Sequence, residues 1–319
     1  MASSDAFETM EINQVGFRQN SRWWNWFRQN WVLYLMILPG LILLILFTYY
    51  PMYGLVVAFQ RFNPGLGFIG SPWVGLKHFE KLFSSPAFLM IIRNTMIIAV
   101  GKLVLTQLCA IALALLLNEV RRVAFKRTIQ TFVYLPHFLS WIVLGGIIID
   151  LLSQNGLVNR ALFSLGIKPI LFLASNQWFV PTLFLTHLWQ ELGWSAIIYL
   201  AALTGVDPQL YEVAAIDGAN RWQQTWNISI PGIRTVIIVV AALNLGNVLN
   251  AGFDQVFALY NPSVYATGDI IDTWVYRQGI VSANYSLATA AGLFKSVVSF
   301  LLISLGYLLA YKWGDYKLF

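Results

Sequence analysis

Three asparagines, Asn244, Asn247 and Asn250, recur at every third residue of an otherwise apolar stretch, and Asp254 follows four residues later. On a continuous helix this spacing keeps them on one slowly drifting face. A second polar group, His187, Gln190, Glu191 and Trp194, falls within two helical turns, with Tyr199 beyond it. Amides, a carboxylate and aromatic planes suit a ligand that offers hydroxyls together with an apolar ring face, which is the surface of a sugar. The same amides also hydrogen-bond between helices as packing groups, so lining and packing are both open for the asparagines. Glu191 and His187 could equally form a structural pair.

Bond-making chemistry has no support in the residues. There is no glycine loop ending in Lys-Ser/Thr for a nucleotide, no Cys/His cluster at metal spacing, and no pair of carboxylates on one helix face. His78, His137 and His187 are scattered over three segments, and Cys109 is the single cysteine, so no internal disulfide framework exists. The expectation is a chain with no catalytic residue, no metal and no cofactor of its own.

The elements that position these polar groups follow from the solvent the composition selects. The chain has 58% hydrophobic and 11% charged residues in 319, whereas soluble domains carry roughly a quarter charged residues. A helix needs about 20 mostly apolar residues to cross a bilayer. Trimming the charge-free intervals to their apolar parts predicts six spans, near 31–51, 92–117, 131–152, 179–203, 233–256 and 286–311. The expected fold is an all-α membrane protein with a tail over 1–30 and one membrane domain over 31–319. Lys102 and Lys295 fall inside spans, where each either snorkels or pairs with a carboxylate.

Orientation comes from Lys and Arg. With the N-terminus inside, eleven of them lie in inner segments and seven in outer ones, and the block Arg121-Arg122-Val123-Ala124-Phe125-Lys126-Arg127 sits inside. Both termini are then cytoplasmic. The net charge of +6 reflects this membrane asymmetry, not contact with nucleic acid. Near the N-terminus, Trp23, Trp24, Trp26, Phe27 and Trp31 interleave with Arg22 and Arg28, which suits an anchor in the lipid headgroups. The first span follows a long polar tail and lacks a small-residue cleavage site, so it reads as a span and not a removable signal.

One polar segment stands apart. Residues 207–231, DPQLYEVAAIDGANRWQQTWNISIP, lie between spans four and five and read as two short helices broken by a turn. Asp207 is an N-cap, Pro208 suits the first helical position, Gly218 permits a left-handed stop, and Asn220 with Gln223 forms a capping box. Pro231 closes the segment. So much local structure between two spans points to a docking surface.

The same residues carry a resemblance. Glu212, Ala214 and Gly218, then Ile228 and Pro231, are similar to the EAA loop of ABC-importer permeases, with Val213 and Ile230 at positions where that family usually has Ala and Leu. The segments 260–280, YNPSVYATGDIIDTWVYRQGI, 49–60 and 306–319 resemble the permeases of complex-oligosaccharide importers, and the likeness runs from about residue 31 to the C-terminus. The resemblance implies a type I ABC-importer permease fold with six transmembrane helices and a cytoplasmic coupling helix. It implies that Glu212, Ala214, Asp217, Gly218, Ile228 and Pro231 transmit motion to an ATPase. Gln190, Glu191, Trp194, Tyr199, Asn244, Asn247, Asn250 and Asp254 become candidate pathway residues. The implied partners are a second, different permease, two ATPase subunits that hold ATP and Mg, an extracytoplasmic solute-binding protein and membrane lipid, in a bacterial cell membrane.

An ion-coupled secondary carrier is the alternative reading. Such carriers often repeat a half with broken helices at matching positions. This chain shows no matching halves and elaborates one loop in its last third.

Overall fold

The computed structural model describes residue 26, residues 28–246 and residues 248–313. It divides into two compact units, 1–56 and 57–319. All regular elements among the described residues are helical.

The first unit is dominated by α1, Trp31–Leu44, which continues through a π-helical stretch, Ile45–Tyr49, and the short helix Tyr50–Met52. Pro51 has no N–H to give to the preceding turn, and the helix accommodates this by widening just before it. None of the α1 side chains is buried, as expected of a helix that is apolar all round and faces lipid or another chain. Of the N-terminal aromatic anchor, Trp26 and Trp31 are exposed. Arg22, Trp23, Trp24 and Phe27 lie outside the described residues.

The second unit is built around α2, Pro86–Glu119. At 1.5 Å per residue its 34 residues reach about 51 Å, well beyond the hydrocarbon thickness. After α3, Val123–Tyr134, and α4, Trp141–Leu152, the 26-residue helix α5, Phe179–Thr204, packs along the length of α2. Ala110 and Ala114 meet Ala196, Tyr199 and Leu203 in a buried cluster with Ile233; small side chains let the two backbones approach. The polar segment then forms α6, Pro208–Ile216, and α7, Arg221–Gln224. Beyond it come α8, Arg234–Gly246, α9, Phe253–Leu259, α10, Ile271–Tyr276, and α11, Tyr285–Trp313, which packs on α8. The largest core gathers Ile98 and Ala99 of α2, Leu144 of α4, Phe179 and Leu183 of α5 and Val256 of α9 around Val248, Leu249 and Ala251.

Two expected spans are not single helices. The run 131–152 breaks between α3 and α4, where Pro136 sits in a 3-10 turn and the Ser140 side chain caps α4. The run 233–256 stops at Gly246 and restarts at Phe253, with Gly252 at φ +85°, a left-handed conformation that ends helical propagation. Asn244 and Asp254 therefore sit on different helices, and the single face drawn through 244–254 does not exist. Four helices, Trp31–Phe59, Pro86–Glu119, Trp141–Ser164 and Tyr285–Leu308, are long and apolar enough to cross a membrane. A fifth results if Arg221–Gly232 and Arg234–Gly246, bent by 58°, form one span. The polar side chains of α5 keep it outside that set.

Candidate functional site

A cavity of about 380 Å³ opens between α2, α5, α8 and the break that follows α8. Along α5, His187, Glu191, Trp194 and Ile198 are spaced by three or four residues and line it together. Tyr199 closes the α5 side. Asn244 enters from α8, and Asn250 and Gly252 enter from the break. Five predicted pathway residues, Glu191, Trp194, Tyr199, Asn244 and Asn250, thus meet in one space.

Two others do not join them. Gln190, turned about 100° from Glu191 around the helix, is buried and donates its amide to the Leu139 carbonyl, 3.1 Å away, at the α3–α4 break. It is a packing group. Asp254 is exposed in the first turn of α9. Asn247 lies outside the described residues.

Lys102, expected to snorkel or to pair with a carboxylate, does neither: it lies in the cavity wall with Thr106 and Gln107. Lys102 and Thr106 are one turn apart on α2, a spacing legible in the sequence. Lys102 is 4% exposed, and its Nζ donates to the Ala251 carbonyl at 2.6 Å. A helix break strands carbonyls that water cannot reach, and the ammonium satisfies one of them. Gln255 supports the same break from the other side, donating to the Leu183 carbonyl at 2.9 Å and to Thr186 Oγ1 at 2.7 Å.

Glu191 takes His137, not His187, as its neighbour: Nδ1 of His137 is 3.3 Å from Oε2 of Glu191. The His137 ring lies flat on Trp194, centroids 4.5 Å apart and planes 2° apart. The α3–α4 break and α5 are thereby fixed to each other at the cavity rim. Gln107 commits its amide N–H to the Ile237 carbonyl at 3.2 Å.

The 207–231 segment folds as its capping signals dictate. Asp207 accepts from the Gln209 N–H at 2.9 Å, and Gly218 adopts φ +80°. Asn220 and Gln223 exchange both capping-box bonds, at 2.8 and 2.9 Å. The Tyr211 hydroxyl reaches Ser229 Oγ at 2.9 Å, holding the two halves together. Glu212, Asp217, Gly218 and Pro231 are exposed, and Ala214 and Ile228 are half-buried. Leu210, Val213, Ile216, Trp222 and Trp226 are bared to solvent, Ile216 at 86% and Trp222 at 74%. The loop thus carries an exposed apolar patch, a feature of interaction surfaces.

The 260–280 segment folds into short helices packed against α2, α5 and α11. Arg277 pairs with Asp269 and lies over the Tyr265 ring at 4.4 Å. Lys295 of α11 does pair with a carboxylate, holding Asp272 at 2.6 and 2.8 Å.

Residues 107–314 match the model of the family described as binding-protein-dependent transport system inner membrane component. The polygalacturonan/rhamnogalacturonan transport system permease protein YteP of Bacillus subtilis is 46% identical over 288 residues, 90% of each chain. Protein LplB of the same organism is 42% identical over 293 residues, 92% of each chain. A chain in the crystal structure of a bacterial alginate ABC transporter, in complex with its alginate pentasaccharide-bound periplasmic protein, superposes with a TM-score of 0.86 at 36% identity, over 93% of this chain and all of that one. With a cavity between its helices, an apolar loop surface and these relatives, the chain belongs to the binding-protein-dependent transport system inner membrane components, the permeases of ABC importers.

Proposed function

We propose that this chain is one of two unlike permease subunits of an importer that carries oligosaccharides across the bacterial cell membrane. It works with two ATPase subunits and an extracytoplasmic solute-binding protein. The observation that carries this reading is the cavity in which Glu191, Trp194, Tyr199, Asn244 and Asn250 converge. Hydrogen-bonding groups beside aromatic planes match the two kinds of surface a sugar presents. Carbohydrate cargo agrees with the polygalacturonan, rhamnogalacturonan and alginate named for the relatives.

In this reading residues 31–319 form the permease domain, with six spans. Helix α5 is the fourth, shielded from lipid on its polar side, and the bent pair leading into α8 is the fifth. Both termini and the 207–231 loop are cytoplasmic. The bared residues of α6 and α7 seat in an ATPase subunit, where ATP and Mg are bound; this chain performs no bond chemistry. ATP-driven closure draws α6 and α7 along, and α5 and α8, which flank them, tilt to open the cavity to alternate sides.

The test is uptake of labelled oligosaccharide by the complete complex in liposomes. ATP supplied on the side of the ATPase subunits drives uptake that persists with ionophores present. Uptake that needs an ion gradient and ignores ATP would overturn the reading in favour of a secondary carrier.

A further inference from the structure

The cavity wall holds three side chains with unspent hydrogen-bond donors. Lys102 carries three N–H donors and spends one on the Ala251 carbonyl. None of the ion pairs among the described residues involves it. Thr106 Oγ1, one turn away on α2, is buried without a hydrogen-bond partner. The Tyr199 hydroxyl, beside the Gln107 amide, is buried and makes no hydrogen bond of good geometry. All three side chains line the same space. Glu191 shares that space with His137 as its close neighbour, and no carboxylate among the described residues lies within ion-pair distance of Lys102.

A buried ammonium with no anion beside it is costly, and the cost falls when a carboxylate enters. A carboxylate accepts up to about four hydrogen bonds, and a charge-assisted bond from lysine is stronger and shorter than a neutral one. A hydroxyl of a neutral sugar brings no charge and leaves the ammonium uncompensated. We infer that Lys102, Thr106 and Tyr199 form a carboxylate subsite, and that the oligosaccharide carried is an acidic one whose uronate group binds there. The remaining wall, with Trp194 and Asn244, receives the ring. This rests on the reading of the chain as an oligosaccharide permease and names the substrate class of that same cavity.

The experiment uses the complete importer in liposomes with paired probes: oligogalacturonate, oligoalginate and a rhamnogalacturonan fragment, each beside its carboxyl-reduced, neutral counterpart. The readout is the ratio of acidic to neutral uptake for each pair. Wild type favours the acidic member at least tenfold for at least one pair. Lys102→Met collapses that ratio at least tenfold, and Lys102→Arg restores most of it. Because Lys102 also braces the α8–α9 break, Lys102→Met lowers total uptake as well, and the ratio separates recognition from bracing. Thr106→Val and Tyr199→Phe, which leave the brace intact, each lower the ratio severalfold. An unchanged ratio in Lys102→Met, or in both hydroxyl variants, overturns the subsite and leaves these donors to water. Wild type that carries only the neutral members overturns the subsite while the permease reading stands. Wild type that carries no oligosaccharide at all removes both.

Discussion

The ammonium of Lys102 donates to the carbonyl of Ala251 at 2.6 Å, across 149 residues of sequence. It joins the middle of α2 to the point where α8 gives way to α9. Gly252, next in the chain, holds φ +85°, and a β-carbon there would lie 2.9 Å from Lys102 Nζ. The break, the lysine and the glycine are therefore one device, and replacing Gly252 disturbs all three. Gly252→Ala is expected to cost at least 1–2 kcal/mol, the penalty of left-handed backbone for a side-chain-bearing residue, and to reduce uptake. A thermal melt and an uptake assay on one preparation check it; unchanged values in both would show that the break tolerates a side chain.

At the loop surface, Gly218→Val places a β-branched residue at φ +80°, a conformation such residues rarely adopt. The turn between α6 and α7 is expected to reshape and ATPase subunits to be lost on purification, or substrate-stimulated hydrolysis to vanish. Normal stimulation in the variant would remove this turn from coupling.

Ile216 and Trp222 are the most exposed of the apolar residues on that loop. Central aromatic anchors of interfaces cost about 2 kcal/mol or more when truncated to alanine, a factor of about 30 in affinity. Trp222→Ala is expected to weaken ATPase retention by that order without lowering the melting temperature of the permease pair. Arg221, whose contact with Glu119 is at 3.4 Å and exposed, should change retention by less than about 1 kcal/mol when replaced by alanine. Equal effects of Trp222→Ala and Arg221→Ala would contradict the assignment.

Packing and lining residues separate by what each substitution lowers. Gln255→Leu deletes two interhelical bonds, each averaging about 0.6 kcal/mol in a membrane, so stability drops by about 1 kcal/mol with uptake per assembled complex retained. Asn244→Leu, at the cavity wall, is expected to leave the melt in place and depress uptake severalfold. The opposite pattern would assign Asn244 to packing and Gln255 to the pathway.

Lys295 and Asp272 form a partly buried pair. Removing one partner strands the other, and with partial exposure the cost is expected at about 2 kcal/mol. The double variant Lys295→Met with Asp272→Leu should be more stable than either single variant. A thermal double-mutant cycle reads this coupling; additive losses would mean that the pair does not interact energetically.

Local chemistry determined much of this protein from sequence alone. Asp207, Gly218 and the Asn220–Gln223 box act within a few residues, so the form of the 207–231 segment was legible before any tertiary contact. Helices α2 and α11 were equally legible, because twenty apolar residues have one stable conformation in lipid. Periodicity also grouped Glu191 with Trp194 correctly. It could not say which side of α5 Gln190 would face, because a repeat tells which residues share a face and not what that face meets. The pairing of His137 with Glu191 and the clamp from Lys102 to Ala251 depend on how separate helices are rotated against one another. The break at 248–252 is the sharpest case. Its apolar residues read as a continuing span, and only packing of Val248, Leu249 and Ala251 into the central core, with a buried lysine to take up a stranded carbonyl, makes an interrupted helix more stable there than a straight one.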